Sequence, residues 1–104
     1  NRGGYKIYSV EVENTLMALP GVVEAAVVAK PCPVLGERVH VFVHAPDAQL
    51  SLAALQAHAA AHLADYKVPE SVTWVDTPLP RNANGKVIKR QLREALLQTL
   101  EVAD

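Results

Sequence analysis

The sequence predicts a small α+β domain, with a central sheet of about three strands plus a hairpin, flanked by about three helices. Three stretches repeat apolar residues at helical spacing, three others are short and valine-rich or alternate apolar with polar residues, and one Asn-Gly pair is typical of a tight turn. With 104 residues, of which 50% are hydrophobic, the chain has the length and apolar content for one core. We therefore treat 1–104 as one domain.

The first predicted helix spans about residues 9–19 and follows a short aromatic and β-branched stretch, Tyr5 to Tyr8. Ser9 is a suitable N-cap, and acidic residues follow in the first turn, where they favour the helix dipole. Pro20-Gly21 ends the helix. Its apolar residues recur at helical spacing: Val12, Leu16 and Leu19.

Two strands follow the first helix. The valine-rich run from Val22 to Ala29 predicts a strand buried on both faces, which Pro31 and Pro33 should end. Arg38 to His44 alternates and predicts a second strand, with Gly36-Glu37 leading into it. Its two predicted faces are Val39, Val41 and Val43 on one side, and the more polar His40, Phe42 and His44 on the other.

The second half of the chain predicts a helix, a strand and a final helix. Ser51 is expected to cap a helix that runs to about Leu63. Tyr66 to Pro69 is a connector, and Ser71 to Val75 reads as the third strand. The apolar face of the helix after Ser51 comprises Leu52, Leu55, Ala59 and Leu63. The final helix spans about residues 89–100, and its apolar face comprises Leu92, Leu96 and Leu100.

Lys86 is the main candidate for chemistry. It follows Asn84-Gly85, which predicts a type I′ hairpin turn with positive φ at both residues. A lysine held on a short, fixed loop offers a mobile positive charge to a phosphate or a developing oxyanion. From the residues alone, a solvated lysine at a hairpin tip is the better explanation, since hairpins commonly end in Asn-Gly-Lys.

The surrounding segments resemble one family closely. The run from Leu79 to Arg93, with Pro80-Arg81-Asn82-Ala83-Asn84-Gly85-Lys86 at its centre, is similar to the C-terminal signature of the adenylate-forming superfamily, which includes acyl- and aryl-CoA synthetases. Four other segments stand in that family's order and spacing: Gly3 to Ile7 with Glu11-Val12-Glu13, Pro20-Gly21-Val22, Gly36-Glu37, and Tyr66 to Pro69. Together the five segments cover nearly the whole chain.

The resemblance implies that Lys86 is the catalytic lysine of a mobile C-terminal lid, presented by the turn at Gly85. A large N-terminal domain of the same polypeptide would bind ATP, Mg²⁺ and the carboxylic acid. We expect that domain, and a hinge residue upstream of Asn1, to lie outside this chain, so the fragment alone should be inactive. The acid itself is chosen by the missing domain and is not predicted.

The resemblance also implies a second half-reaction, in which the lid rotates and a thiol attacks. Gly3, Gly4, Tyr5 and Lys6 would then approach the pantetheine arm of CoA, and Lys89 and Arg90 would contact phosphates. The alternative acceptor is the phosphopantetheine arm of a carrier protein. An alternative of another class is a stand-alone binding module whose basic edge comprises Lys86, Lys89, Arg90 and Arg93.

Composition narrows the remaining possibilities. Ten basic and eleven acidic residues give a formal charge of −1, which does not favour nucleic-acid binding. No apolar run approaches the roughly 20 residues of a membrane span. The single cysteine, Cys32, fits a reducing compartment, so a cytoplasmic enzyme is expected.

Other notable residues predict structural roles. His58 and His62 have metal-ligand spacing on a helix but lack a third ligand, so we predict exposed histidines and no metal site. Trp74 and Phe42 are expected in the core.

Overall fold

The computed structural model describes residues 5–32, 36–47 and 49–103. The strands form one sheet in the order β1-β2-β3, in which β1 is antiparallel and β3 parallel to β2. This arrangement confirms the predicted α+β class. The elements are α1 (Tyr5–Met17), β1 (Glu24–Cys32), β2 (Gly36–His44), α2 (Leu52–His62), β3 (Ser71–Val75) and α3 (Lys89–Ala103), with a 3-10 turn over Asp65–Lys67.

Helices cover both faces of the sheet. α1 and α2 pack on one face and α3 on the other, because alternate strand residues point to opposite sides. The predicted alternation of β2 is confirmed, since its three valines face α1 and α2 while Phe42 faces α3. The α3 face is closed by Ala26, Val28, Phe42, Leu79, Leu92 and Leu96.

The start of the first helix was predicted wrongly. Helix α1 begins at Tyr5, so Ser9 lies inside it, 5% exposed, and does not serve as its N-cap. No acidic residue lies in the first turn. The stretch from Tyr5 to Tyr8 contains neither proline nor glycine, so nothing in it stops the helix from extending upstream of Ser9. The helix ends at Met17, two residues before the predicted end at Leu19.

Strand β1 continues through Pro31 to Cys32, which corrects the prediction that Pro31 ends it. β1 is an edge strand, and the Val27 N–H donates to the Glu13 carboxylate at 2.8 Å. Val27 therefore directs its backbone nitrogen away from β2, and the alternation of a strand places the Pro31 nitrogen on that same side. A proline at this position removes no hydrogen bond between β1 and β2.

The polar face predicted for β2 is in fact buried. His40 is 3% and His44 7% exposed, because α3 and the segment before it cover this face. The His44 Nδ1–H donates to the Val75 carbonyl at 3.0 Å. Phe42 is in the core as predicted, whereas Trp74 is not, since 41% of it is exposed on edge strand β3.

The remaining elements lie close to their predicted bounds. Ser51 caps α2, and its hydroxyl accepts a hydrogen bond from the Ala54 N–H at 3.1 Å. Leu55 and Ala59 are its buried residues. β3 has the predicted limits, and α3 extends to Ala103 rather than about residue 100.

Candidate functional site

The segment between β3 and α3 folds into a small hairpin that carries Lys86. Arg81 and Val87 form an antiparallel bridge, and the Ile88 N–H donates to the Pro80 carbonyl at 2.9 Å. Leu79 anchors the entrance of the hairpin in the core beneath α3, where it is 4% exposed. The loop is therefore attached to the sheet through its base, while Lys86 is exposed at its tip.

The turn itself differs from the predicted type I′ form. Gly85 has a φ of 84°, but no described residue other than glycine has a positive φ, so Asn84 does not adopt the left-handed conformation. The Gly85 N–H instead donates to the Asn82 carbonyl at 2.9 Å, which closes a β-turn over residues 82–85. The tight turn before Lys86 is confirmed, with Gly85 alone supplying the left-handed residue.

Hydrogen bonds made by Asn82, rather than a left-handed conformation at Asn84, hold the loop together. Its side-chain Oδ1 accepts hydrogen bonds from the backbone N–H groups of Asn84, at 2.9 Å, and of Lys86, at 3.0 Å. Its own N–H donates to the Lys86 carbonyl at 2.9 Å. Asparagine suits this position because its amide oxygen can satisfy backbone donors further along a turn.

An ion pair between the buried Glu24 and the partly exposed Arg81 holds the other side of the loop. The Arg81 Nη1 donates to the Gly85 carbonyl at 2.6 Å, and its Nη2 donates to Glu24 Oε2. Glu24 Oε1 accepts from the Leu79 N–H at 3.0 Å. Burial alone would raise the pKa of Glu24, but the hydrogen bonds from Leu79 and Arg81 outweigh it and lower that pKa.

Three cations border one groove of about 560 Å³ between α1, the hairpin and the start of α3. Arg81 is paired with Glu24, and Lys89 lies 2.6 Å from the Glu13 carboxylate. No described residue accepts a hydrogen bond from the Lys86 ammonium. Lys86 is therefore the cation of these three that is available to an incoming anion.

The structure presents Lys86 on the turn at Gly85, but it does not gather all the predicted site residues. Gly3 and Gly4 lie outside the described residues. Tyr5 and Lys6 lie in the first turn of α1 by their backbone. Arg90 is exposed on α3, and Lys89 is already paired, which weakens the basic edge expected of a stand-alone binding module.

Sequence reasoning missed the role of Glu24. Residues 24–29 of β1 are all buried, and Glu24 is the one charged residue among them. A lone charged residue beside an apolar run was the signal in the sequence that could have indicated its role. A carboxylate is expensive to bury unless it is paired, so its position in an apolar run indicates a fixed partner. The partner, Arg81, lies far along the sequence, and periodicity carries no information about it.

Of the two α2 histidines, His62 is exposed as predicted but His58 is not. His58 is half-buried, and its Nε2–H donates to the Thr15 carbonyl near the end of α1 at 2.7 Å. The ring of His62 lies 5.0 Å from that of His58, centre to centre. Across the described ranges no group of three or more His, Cys, Asp or Glu side chains could hold a metal ion. The same ranges contain no helix long and apolar enough to cross a membrane.

A family match identifies the class of protein. Residues 11–86 match the family described as AMP-binding enzyme C-terminal domain. The match covers most of the chain, so this chain belongs to that family and is a C-terminal domain of the adenylate-forming enzymes.

Particular relatives show which enzymes carry this domain. The chain is 48% identical over 93 residues to a 3-[(3aS,4S,7aS)-7a-methyl-1,5-dioxo-octahydro-1H-inden-4-yl]propanoyl:CoA ligase of Mycobacterium tuberculosis, covering 88% of this chain and 18% of the ligase. It is 41% identical over 92 residues to the fatty acid–[acyl-carrier-protein] ligase ScoC of Streptomyces coeruleorubidus, again covering 88% and 18%. The chain thus spans about a fifth of the length of these relatives.

Solved structures agree on the fold. A Mycobacterium tuberculosis fatty acyl CoA synthetase superimposes with a TM-score of 0.82 at 34% identity, over 88% of this chain and 18% of that one. ATP-bound MatB from Rhodopseudomonas palustris gives 0.78 at 39% identity, over 85% and 18%. The o-succinylbenzoate CoA synthetase of Bacillus subtilis, bound to a product analogue, gives 0.78 at 32% identity, over 84% and 18%.

Proposed function

We propose that this chain is the mobile C-terminal lid of an ATP-dependent acyl-CoA synthetase, and that Lys86 is its catalytic lysine for adenylation. The observation that carries the proposal is the presentation of Lys86. Its side chain is exposed at the tip of a hydrogen-bonded hairpin, with no described residue neutralising its charge, in a chain that belongs to the AMP-binding family.

The first half-reaction needs such a cation. A carboxylate oxygen attacks the α-phosphorus of ATP, the bond to the β-phosphate oxygen breaks, and acyl-adenylate and pyrophosphate form. Both reactants are anionic, so an ammonium placed between them lowers their repulsion and stabilises the charge that moves onto the phosphate oxygens. Removal of one such donor costs on the order of 10²–10³ in rate at comparable sites.

The rest of the active site belongs to another domain in this proposal. The relatives are about five times longer than the matched region, which leaves room for a large N-terminal domain that binds ATP and the acid. The described residues include no group of three or more His, Cys, Asp or Glu side chains that could hold a metal ion, so in this proposal Mg²⁺ is held by the N-terminal domain. We expect the 104-residue chain alone to have no ligase activity. A cytoplasmic location stays an expectation from the sequence.

The second half-reaction, in this proposal, uses the opposite end of the chain. The acyl carbonyl is attacked by a thiol sulfur, AMP leaves, and a thioester forms. Gly3 and Gly4 would let backbone approach the pantetheine arm, because glycine has no side chain in the way. Tyr5, Lys6, Lys89 and Arg90 are proposed contacts, although a phosphate would have to compete with Glu13 for Lys89.

CoA is the acceptor we propose, on the strength of the mycobacterial CoA ligase and the CoA synthetase structures. The alternative is favoured by one relative, ScoC, whose name specifies an acyl-carrier protein. The full-length enzyme, supplied with acyl-adenylate and either CoA or a phosphopantetheinylated carrier protein, should form thioester with CoA. Exclusive transfer to the carrier protein would replace our choice with the alternative.

Separate assays of the two half-reactions test the role of Lys86. In the full-length enzyme, Lys86→Ala should abolish adenylate formation while thioester formation from supplied acyl-adenylate stays close to wild type. Gly4→Leu should do the reverse, impairing thioester formation and sparing adenylation. Equal loss of both half-reactions in Lys86→Ala would contradict the assignment.

A further inference from the structure

The peptide bond between Gly85 and Lys86 is held on both of its sides. Its carbonyl, contributed by Gly85, accepts from Arg81 Nη1 at 2.6 Å. Its N–H, contributed by Lys86, donates to Asn82 Oδ1 at 3.0 Å. A peptide unit is planar, so fixing both groups fixes the plane and the position of the Lys86 Cα. The Lys86 carbonyl is held as well, by the Asn82 N–H at 2.9 Å, so the backbone on both sides of that Cα directs the side chain.

Arg81 links this peptide to the sheet. Its two terminal nitrogens point to different acceptors, the Gly85 carbonyl and the Glu24 carboxylate. Glu24 is the first residue of β1, is 9% exposed, and pairs across the sheet with His44. The sheet is therefore connected to the loop through three groups in contact: the Glu24 carboxylate, the Arg81 guanidinium and the Gly85 carbonyl, which precedes Lys86.

Both carboxylate oxygens of Glu24 are hydrogen-bonded in this arrangement. One oxygen receives the Leu79 N–H at 3.0 Å and the other receives Arg81. The carboxylate thus binds the entrance of the hairpin directly and its tip through the arginine. A planar guanidinium can serve two acceptors in fixed directions, which a lysine ammonium on a flexible stem reproduces poorly.

We propose that Glu24 and Arg81 are positioning residues that aim Lys86 for adenylation, and this rests on the function proposed above for Lys86. The pair touches no substrate in this account. Its role is to keep the Gly85 carbonyl, and therefore the backbone that carries the Lys86 side chain, in a fixed position relative to the sheet while the lid closes. A misplacement on the order of 1 Å at such a site can cost about 10²-fold in rate.

A purely structural ion pair makes different predictions. If Glu24 and Arg81 only stabilised the domain, loss of the pair would lower the melting temperature and depress both half-reactions together. Arg81→Lys would then restore most of the function, because it retains a positive charge beside Glu24. If the pair positions Lys86, Arg81→Lys should not rescue adenylation, because one ammonium does not reproduce the fork that joins Glu24 to the Gly85 carbonyl.

The test uses full-length enzyme carrying Arg81→Lys or Glu24→Gln. Arg38→Lys is the matched control, because Arg38 also pairs with a carboxylate, that of Glu70 at 2.5 Å, on a surface away from the hairpin. We expect Arg81→Lys and Glu24→Gln to lower kcat for ATP–pyrophosphate exchange by about 10- to 100-fold. KM for ATP and thioester formation from supplied acyl-adenylate should stay close to those of Arg38→Lys, and so should the melting temperature of Arg81→Lys.

Lys86→Ala, assayed in parallel, separates the two proposals. If Lys86→Ala abolishes exchange while Arg81→Lys and Glu24→Gln keep it within about twofold of wild type, the positioning role is wrong and the function of Lys86 stands. If Lys86→Ala leaves exchange intact, the proposed function itself fails. A parallel fall in both half-reactions and in melting temperature for Arg81→Lys would overturn the positioning role in favour of the structural one.

Discussion

Acid should destabilise this domain through one buried histidine, His40. Its ring lies between β2 and β3, with Nδ1 2.6 Å from the Ser71 hydroxyl and Nε2 2.8 Å from the Thr73 hydroxyl. The ring also packs edge-on against Phe42, with centres 5.3 Å apart. Burial, followed by the nearby positive charge of Lys30, lowers the pKa of His40 from 6.5 to about 4.

The sign and size of the effect follow from this pKa. Between pH 6.5 and about 4 the unfolded chain binds a proton at His40 that the folded chain does not bind, so stability falls as the pH falls. At ~1.36 kcal/mol for each pH unit, the full loss is about 3 kcal/mol. Glu24 affects stability at lower pH. Its pKa is lowered in the folded chain, so the stability that its ionised form contributes is lost only as the pH falls below 4.5, the ordinary pKa of a glutamate.

Denaturant unfolding of the chain at a series of pH values measures the effect, with His40→Gln as the comparison. Glutamine can bond to the same two hydroxyls but does not titrate, so the variant should lack the part of the pH dependence between about pH 6.5 and 5 that His40 causes. The wild-type free energy of unfolding should fall across that interval. An identical pH dependence in both proteins would refute the reasoning, as would an NMR titration of His40 with a midpoint near 6.5.

Four further changes test other parts of the structure. Asn82→Ala deprives the Asn84 and Lys86 N–H groups of their acceptor, and should speed their hydrogen exchange relative to the sheet amides. Gly85→Ala meets nothing within 4 Å but must adopt a φ of 84°, so it should lower the free energy of unfolding by about 1–2 kcal/mol in denaturant melts. Leu92→Ala, at a position 6% exposed beneath α3, should cost about 2–5 kcal/mol in the same assay. Ser51→Ala removes the N-cap of α2 and should cost about 1 kcal/mol.

Local patterns predicted much of the fold because they depend on neighbours in sequence. The alternation of β2 gave its two faces, since strand periodicity decides which residues share a side. The cap at Ser51 and the bounds of β3 were likewise fixed by residues within a turn or two. The tight turn at Gly85 followed from Asn-Gly, although its hydrogen bonding did not.

Features that depend on distant contacts were not predictable in this way. Pro31 is tolerated in β1 because of where that strand lies in the sheet, which sequence alone does not state. His40 is buried because α3 covers a face that looked polar. Glu24 and Arg81 meet only through the fold, across a separation of 57 residues, and no periodicity joins them. Their pairing therefore became visible only in the structure.

ATP–pyrophosphate exchange by full-length enzyme carrying Lys86→Ala tests the central claim most directly. Lys67→Ala is the control, because Lys67 pairs with Glu11 at 2.7 Å and does not border the groove beside the hairpin. Exchange should fall by at least about 10²-fold in Lys86→Ala and stay near wild type in Lys67→Ala. Exchange at the wild-type rate in a folded Lys86→Ala enzyme would contradict it.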